Sequence, residues 1–181
     1  VNAQAVMGII DTPPGRITGG SIEYRGDDIL KMSKEEQRKI RADHIAMVFQ
    51  DALTALNPVF TVGWQLSELF RQHRGLSKKE AKAKSLELLD RVRIPGARER
   101  IDSYPHEFSG GMRQRVMIAM GIALDPSVLI ADEPTTALDV TVQAQIMDLL
   151  KDLQDETGMG LLLITHDLGV VAEVADRVVV M

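Results

Sequence analysis

The last third of the sequence alternates short apolar runs with longer amphipathic segments. Apolar runs of strand length occur at residues 128–131, 161–165 and 178–181, and helical spacing of apolar residues connects them at 140–153 and 168–175. Continuous apolar strands separated by amphipathic helices are typical of a parallel sheet covered on both faces. The sequence therefore predicts an α/β fold with a mostly parallel sheet, in which ligands bind beyond the carboxyl ends of the strands.

The first 60 residues have a mixed α/β pattern. A helix over residues 1–10 is expected to stop at the Pro-Pro pair at 13 and 14, because proline lacks an amide donor and clashes inside a helix. Ser33 and Glu36 have the spacing of a capping box, which predicts that a helix begins after Ser33. The predicted strands here are a short pair at 21–25 and 28–30, and a buried strand at 45–49.

Residues 61–124 show helical patterns and no convincing strand. Ala81, Leu88, Leu89 and Val92 share one helical face, opposite a face rich in lysine that is most simply a solvated surface. We therefore predict a core formed by residues 1–60 and 125–181, with an inserted helical subdomain at 61–124.

Composition restricts the function classes. The 181 residues include 45% apolar and 26% charged residues, which is ordinary for one globular domain. The net charge of −5 argues against a nucleic-acid partner held by a general positive field. The chain has no cysteine, which fits a reducing compartment, and its apolar runs are far shorter than the roughly 20 residues that span a bilayer. Any membrane role is expected to be peripheral.

The predicted strand at 128–131 ends in two adjacent carboxylates, Asp132 and Glu133. Asp132 would lie at the ligand edge of the sheet, where a carboxylate can hold Mg²⁺ directly or through water, as in P-loop NTPases. Glu133 could orient and deprotonate an attacking water. The alternative is that the pair merely begins a turn before Pro134.

A loop runs into a helix at Ser109, Gly110, Gly111 and Met112. Ser109 can cap the helix, the glycines let an anion approach the backbone, and the first N–H groups together with the helix dipole favour phosphate oxygens. Taken alone, the same residues fit an ordinary turn and cap.

Three further polar residues follow predicted strands. Asp139 comes soon after the carboxylate pair, His166 ends the strand at 161–165, and Gln50 follows the strand at 45–49. A lone histidine is usually structural or solvent-facing, but at a strand's carboxyl end it can reach a ligand served by the neighbouring strand. The amide of Gln50 is able to bind a metal or water.

In this order, the five elements resemble the nucleotide-binding domain of ABC transporters, which has a P-loop NTPase core. The resemblance implies ATP and Mg²⁺ as ligands, with Gln50 as the Q-loop glutamine near the metal and the catalytic water. It further implies that Asp132 and Glu133 are the Walker B pair, Asp139 is the D-loop aspartate and His166 is the switch histidine at the γ-phosphate. Residues 109–112 would be the signature loop, although Phe108 and Met112 replace the common Leu and Gln, and Gln114 lies close by.

Longer stretches, at 49–51, 56–58, 103–115 and 134–141, resemble the dipeptide, oligopeptide and nickel importer ATPases. This resemblance implies an ATPase that lies at the cytoplasmic face of the membrane and energises the uptake of peptides or nickel across it. Its implied partners are a second ATPase domain, identical or related, bound head to tail, two membrane-spanning permease subunits and, indirectly, a solute-binding protein.

The sequence contains no Gly-x-x-x-x-Gly-Lys-Ser/Thr loop to cradle phosphates. In the family that loop precedes a helix like residues 1–10, so we expect a core that is incomplete at both ends, truncated just after the loop, and little or no ATP binding by this chain alone. Two alternatives are a non-transport ABC ATPase of DNA repair or translation and an interaction domain that kept the fold. The first usually carries a coiled-coil insertion or a second tandem domain, which this sequence lacks.

Overall fold

The computed structural model describes residues 2–10, 13–49, 55–136 and 138–181. The described strands are β1 (Glu23–Tyr24), β2 (Asp27–Asp28), β3 (Ile45–Val48), β4 (Val128–Asp132) and β5 (Gly160–Ile164). The described α-helices are α1 (Asn2–Met7), α2 (Lys34–Asp43), α3 (Val62–Arg74), α4 (Lys78–Arg91), α5 (Ala97–Arg100), α6 (Gly110–Ile122), α7 (Val140–Thr157) and α8 (Leu168–Val174). Short 3₁₀ helices lie at Ile29–Lys31 and Pro105–Glu107.

The central element of the fold is a three-stranded parallel sheet in the order β3-β4-β5. Strands β3 and β4 begin side by side, with Ile45 paired to Val128. Strands β4 and β5 end side by side, with Asp132 paired to Ile164. Because the strands are parallel, their carboxyl ends lie at one edge of the sheet. The predicted α/β fold with a parallel sheet is confirmed.

The central strand of the sheet is covered on both faces. Leu129 and Ala131 belong to a large apolar cluster with residues of α6 and α7, whereas Ile130 packs in a second cluster with Ala3 of α1. Successive strand residues point to opposite faces, so one strand contributes to two cores. All three β4 residues are at most 1% exposed, which explains the uninterrupted apolar run in the sequence.

Residues 61–124, all of which the structure describes, form helices and no strand. The predicted apolar face of α4 is buried at Ala81, Leu88 and Leu89, and Val92 just after the helix is buried too, while the lysines on the other side are exposed. These buried residues share one apolar cluster with Leu129 and Ala131 of the sheet. The helical region and the sheet are therefore packed against each other without a polar boundary.

Of the local signals before the sheet, the capping box and the short strand pair are present, but α1 ends at Met7, well before Pro13, and the first strand of the pair is only Glu23–Tyr24. Tyr24 pairs with Asp27 across a turn in which Arg25 and Gly26 have φ of 54° and 93°. Positive φ at both central residues of a two-residue hairpin loop fits a type I′ turn. Ser33 and Glu36 form the capping box of α2. The N–H of Ser33 donates to the Glu36 carboxylate at 2.8 Å, and the N–H of Glu36 donates to the Ser33 hydroxyl at 3.3 Å.

Two predicted strands differ from the structure. The predicted strand at 28–30 stops at Asp28, because the Asp28 carboxylate accepts from the N–H of Leu30 and caps a 3₁₀ helix. The prediction of a strand at 178–181 is wrong: these residues are 60% to 94% exposed and pair with no strand in the described ranges. Apolar, β-branched composition alone does not make a strand, since a strand also needs a hydrogen-bonded neighbour.

No helix in the described ranges combines the length and apolar character needed to cross a membrane.

Candidate functional site

The two adjacent carboxylates lie at the end of the central strand. Asp132 is the last residue of β4 and is half-buried. Glu133 follows with φ of 46°, a left-handed conformation that is uncommon for residues other than glycine, and its N–H donates to the carbonyl of Ile164 at 2.8 Å. The chain therefore turns sharply out of β4 at Glu133 while staying attached to β5.

The Glu133 carboxylate lies between two polar side chains. The hydroxyl of Thr136 donates to Oε2 at 2.8 Å, and Nδ1 of His166 lies 3.4 Å from Oε1. Glu133 has 28% of its side chain exposed, and His166 has 78%. Two residues predicted from separate strands are thus brought together at one edge of the sheet, with an accessible imidazole.

The loop after His166 is fixed by Asp167. Its carboxylate accepts from the N–H groups of Gly169 and Val170 at 2.8 and 3.3 Å and caps α8. The Gln143 amide also donates to it at 3.1 Å. The hydrogen bond from Gln143, followed by those from the backbone, lowers the pKa of Asp167, because each stabilises the carboxylate form.

The predicted phosphate-binding loop begins α6. Ser109 is the N-cap, and its hydroxyl accepts weakly from the N–H of Met112 at 3.4 Å. Ser109 and Gly110 are exposed. The first N–H groups of a helix have no acceptor within the helix, so this exposed end can donate to an anion.

The start of α6 packs on the start of α7. Gly110 lies against Leu138, and Gly111 lies against Val142. Asp139 caps α7, accepting from the N–H of Val142 at 3.0 Å. The structure thus places Asp139 beside the predicted signature loop, and gives it a capping role that was not predicted from the sequence.

Arg113 shapes the segment before the signature loop. Its Nε donates to the carbonyl of Pro105 at 2.8 Å and its Nη2 to that of His106 at 3.3 Å. Gln114, by contrast, is only 3% exposed inside α6. Gln114 therefore does not supply an exposed amide in place of the one that Met112 lacks.

Gln50 and its neighbour Asp51 lie outside the described residues, so the structure does not position the predicted Q-loop. Two residues that contact the site, Thr136 and Gln143, were not predicted from the sequence. The Thr136 bond had no sequence signal, since it depends on the left-handed turn at Glu133. The cap at Asp167 did have one, because an aspartate directly precedes a short apolar helix.

Asp132 and Glu133 are the carboxylates at the end of β4, where the sequence predicts a metal site. In the described part of the chain, no three His, Asp or Glu side chains are grouped to hold a metal. A half-buried carboxylate at a strand end nevertheless suits Mg²⁺, which proteins usually bind through one or two carboxylates together with substrate phosphates and water. Asp132 therefore fits a magnesium ion that arrives with a phosphate ligand.

The fold and this site define an ATP-binding cassette. A family model described as ABC transporter matches residues 4–136, and the chain belongs to that family. It is 56% identical over all its 181 residues to a putative peptide import ATP-binding protein of Brucella abortus, and 52% identical over the same span to the oligopeptide transport ATP-binding protein OppD of Bacillus subtilis. It covers 54% and 51% of those proteins, so the chain spans about half the length of these curated relatives.

Solved structures agree with the family. A dimeric structure of the ATP-binding cassette MJ0796, bound to ADP and Pi after hydrolysis, superposes with a TM-score of 0.75 at 31% identity, over 93% of this chain and 71% of that one. The cbiO1 protein of Clostridium perfringens, part of the ABC transporter complex cbiONQ, gives 0.77 at 30% identity, over 94% and 63%.

Proposed function

We propose that the protein containing these residues hydrolyses ATP and uses the energy to import peptides across a membrane. The observation that carries this proposal is the contact between Glu133 and His166, 3.4 Å apart at the carboxyl edge of the sheet beside Asp132. The relatives described above are named for peptide import and oligopeptide transport. Nickel is the second candidate cargo, and its only support is the sequence resemblance.

Each site residue has a proposed role in hydrolysis. Asp132, together with Gln50, would hold Mg²⁺, which supplies charge neutralisation at the phosphate oxygens. The Glu133 carboxylate accepts a proton from water as the water oxygen attacks the γ-phosphorus and the bond to the β,γ-bridging oxygen breaks. The exposed imidazole of His166 contacts the γ-phosphate. Gln50 also helps to position the attacking water.

The signature loop is proposed to act on a second nucleotide. Ser109, Gly110, Gly111 and Met112 would present backbone donors to phosphates held by a partner ATPase domain, identical or related, packed head to tail. Asp139, which caps α7 next to that loop, would lie at the same interface. The dimeric structure of the MJ0796 cassette bound to ADP and Pi supports this arrangement.

The helical region, together with the Gln50 region that leads into it, is proposed to contact two permease subunits at the cytoplasmic face of the membrane. Phe60 and Trp64 stack with ring centroids 4.0 Å apart, and they are 38% and 46% exposed next to Val59 at 69%. Exposed aromatic patches of this kind mark protein–protein contacts. We keep the division into a core at 1–60 and 125–181 and a helical subdomain at 61–124 as part of this proposal. A solute-binding protein would act through the permease.

A polypeptide of these 181 residues alone is proposed to bind and hydrolyse ATP poorly. Its sequence holds the metal, base and switch residues but no Gly-x-x-x-x-Gly-Lys-Ser/Thr stretch. That stretch supplies the main backbone and lysine contacts to the phosphates. Fluorescent-nucleotide titration of this polypeptide tests the point, and micromolar ATP affinity with turnover would contradict it.

The catalytic proposal is tested in the full-length protein with Glu133→Gln. We expect ATP affinity to be retained and phosphate release to fall by at least about a hundredfold, because the amide cannot accept the proton. Unchanged turnover would remove Glu133 as the base. The matched control is Glu173→Gln in α8, outside the proposed site, which should leave turnover as it is.

A further inference from the structure

Thr136 makes a close side-chain contact to the proposed base. Its hydroxyl donates to Oε2 of Glu133 at 2.8 Å, inside the usual range for an O–H···O bond, whereas the Nδ1 of His166 lies 3.4 Å from Oε1, beyond the usual N–H···O range. The two contacts reach different oxygens of one carboxylate. Of these two contacts, the one from Thr136 is the shorter.

The bond is built into a closed turn. The N–H of Thr136 also donates to the carbonyl of Glu133 at 3.2 Å, so main chain and side chain both link the same two residues. Glu133 itself is held in a left-handed conformation and tied to Ile164 by its N–H. A non-glycine residue at positive φ is strained and persists only where its surroundings enforce it. The turn thus fixes both the backbone and the carboxylate of Glu133.

We propose that Thr136 is a positioning residue for hydrolysis. By holding Oε2, it keeps the Glu133 carboxylate from rotating and leaves Oε1 directed to the side of His166, where the attacking water is deprotonated. This inference rests on the proposed function, since it needs Glu133 to be the base. Thr136 itself touches neither water nor nucleotide in this scheme.

The test is steady-state ATP hydrolysis by the full-length protein carrying Thr136→Val, which keeps the shape and removes the donor. We expect kcat to fall about tenfold, the equivalent of about 1.4 kcal/mol in the barrier, with KM for ATP changed less than about twofold. Thr136→Ser, which restores the hydroxyl, should recover most of kcat. In the background of Glu133→Gln, Thr136→Val should cause no further loss, because the two residues act as a unit.

The matched control is Thr157→Val near the far end of α7. It removes a hydroxyl bond of 2.6 Å to the carbonyl of Leu153, away from the site, and should leave kcat unchanged. Full activity of Thr136→Val, alongside an inactive Glu133→Gln, would overturn the inference while leaving the proposed function intact. A parallel loss of kcat, nucleotide affinity and melting temperature would also overturn it, since that pattern indicates a structural role. Unchanged turnover in Glu133→Gln would instead overturn the assignment of the base.

Discussion

The side chain of Val142 fills the space that a Cβ atom on Gly111 would occupy. A Cβ built on Gly111 would lie 2.6 Å from Cγ1 of Val142, closer than real Cβ contacts come. Gly111 is the second glycine of the predicted signature loop, and Val142 lies in the first turn of α7. The glycine therefore has a packing requirement here that is independent of phosphate binding.

Gly111→Ala is expected to destabilise the fold. The added methyl must displace Val142 or separate the starts of α6 and α7, and overpacking of this kind costs about 1–3 kcal/mol in the free energy of unfolding. Urea denaturation followed by circular dichroism measures the change.

Gly110→Ala provides the control for this experiment. A Cβ on Gly110 would meet Cδ2 of Leu138 at 3.5 Å, an ordinary contact, so this variant should be at least as stable as wild type within experimental error. Combining Gly111→Ala with Val142→Ala should recover part of the lost stability. If both alanine variants at 110 and 111 lost stability equally, the contact with Val142 would not be the cause.

The Asp167 carboxylate should titrate at higher pH when Gln143 is replaced. The hydrogen bond from Gln143 is the largest cause of the lowered pKa of Asp167, so Gln143→Ala should move that pKa upward towards its ordinary value of about 3.9. NMR titration of the carboxyl carbon in both proteins measures the shift. An unmoved pKa would contradict the assigned cause.

A pH dependence of stability follows from the same group. Because folding lowers the pKa of Asp167, its contribution to stability is present above the unfolded pKa and is lost as the pH falls through the folded one. Asp167→Asn should therefore be less stable than wild type at pH 7, and the difference should shrink below about pH 4. Denaturant titrations at several pH values test this. A difference that stayed constant with pH would rule out a role for the charge.

Arg115 should contribute more to stability than an exposed lysine. It joins α6 to the end of α4 and to α7, donating to the carbonyl of Val92 at 3.2 Å and to Oε1 of Gln145 at 3.0 Å. Burial, followed by repulsion from Arg93, lowers its pKa, although arginine stays charged at any physiological pH. Arg115→Met is expected to cost about 1–2 kcal/mol of unfolding free energy, measured by urea denaturation.

Lys84→Met gives the comparison for Arg115. The ion pair of Lys84 with Glu87 has 57% and 65% of the two side chains exposed, and solvated pairs of this kind contribute little to stability. Equal losses in the two variants would show that the inter-helix bonds of Arg115 add nothing.

The parallel sheet could be predicted because its central strand, β4, is buried on both faces. Leu129 and Ile130 serve opposite clusters, which makes an uninterrupted apolar run necessary and easy to recognise. The strand predicted at Val178 to Met181 is absent, because these residues are apolar but exposed and have no strand to pair with in the described ranges. Helix α7 also extends four residues beyond its predicted end at 153. It ends at Thr157, where the left-handed Gly158 terminates it.

The positions of the site residues followed from strand ends, but their contacts did not. That Glu133 and His166 lie together was expected, since the ends of neighbouring parallel strands meet at one edge. The left-handed backbone of Glu133 could not be read from its residue type, and the bond from Thr136 depends on it. The catalytic and nucleotide-binding roles of these residues stay predictions.

Trp64 offers a way to separate assembly from folding. With 46% of its surface exposed and its ring stacked on Phe60, it adds little to the core but presents an aromatic face to a partner. Trp64→Ala should change the melting temperature by only a few degrees and yet reduce recovery of the full-length protein with the proposed permease subunits by about tenfold or more. Affinity purification from membranes, quantified by immunoblot, measures this recovery. The control variant is Ile17→Ala, which should leave recovery unchanged. Ile17 is apolar and 43% exposed but is not part of the patch formed by Val59, Phe60 and Trp64. Normal recovery of Trp64→Ala would move the permease contact away from this aromatic pair.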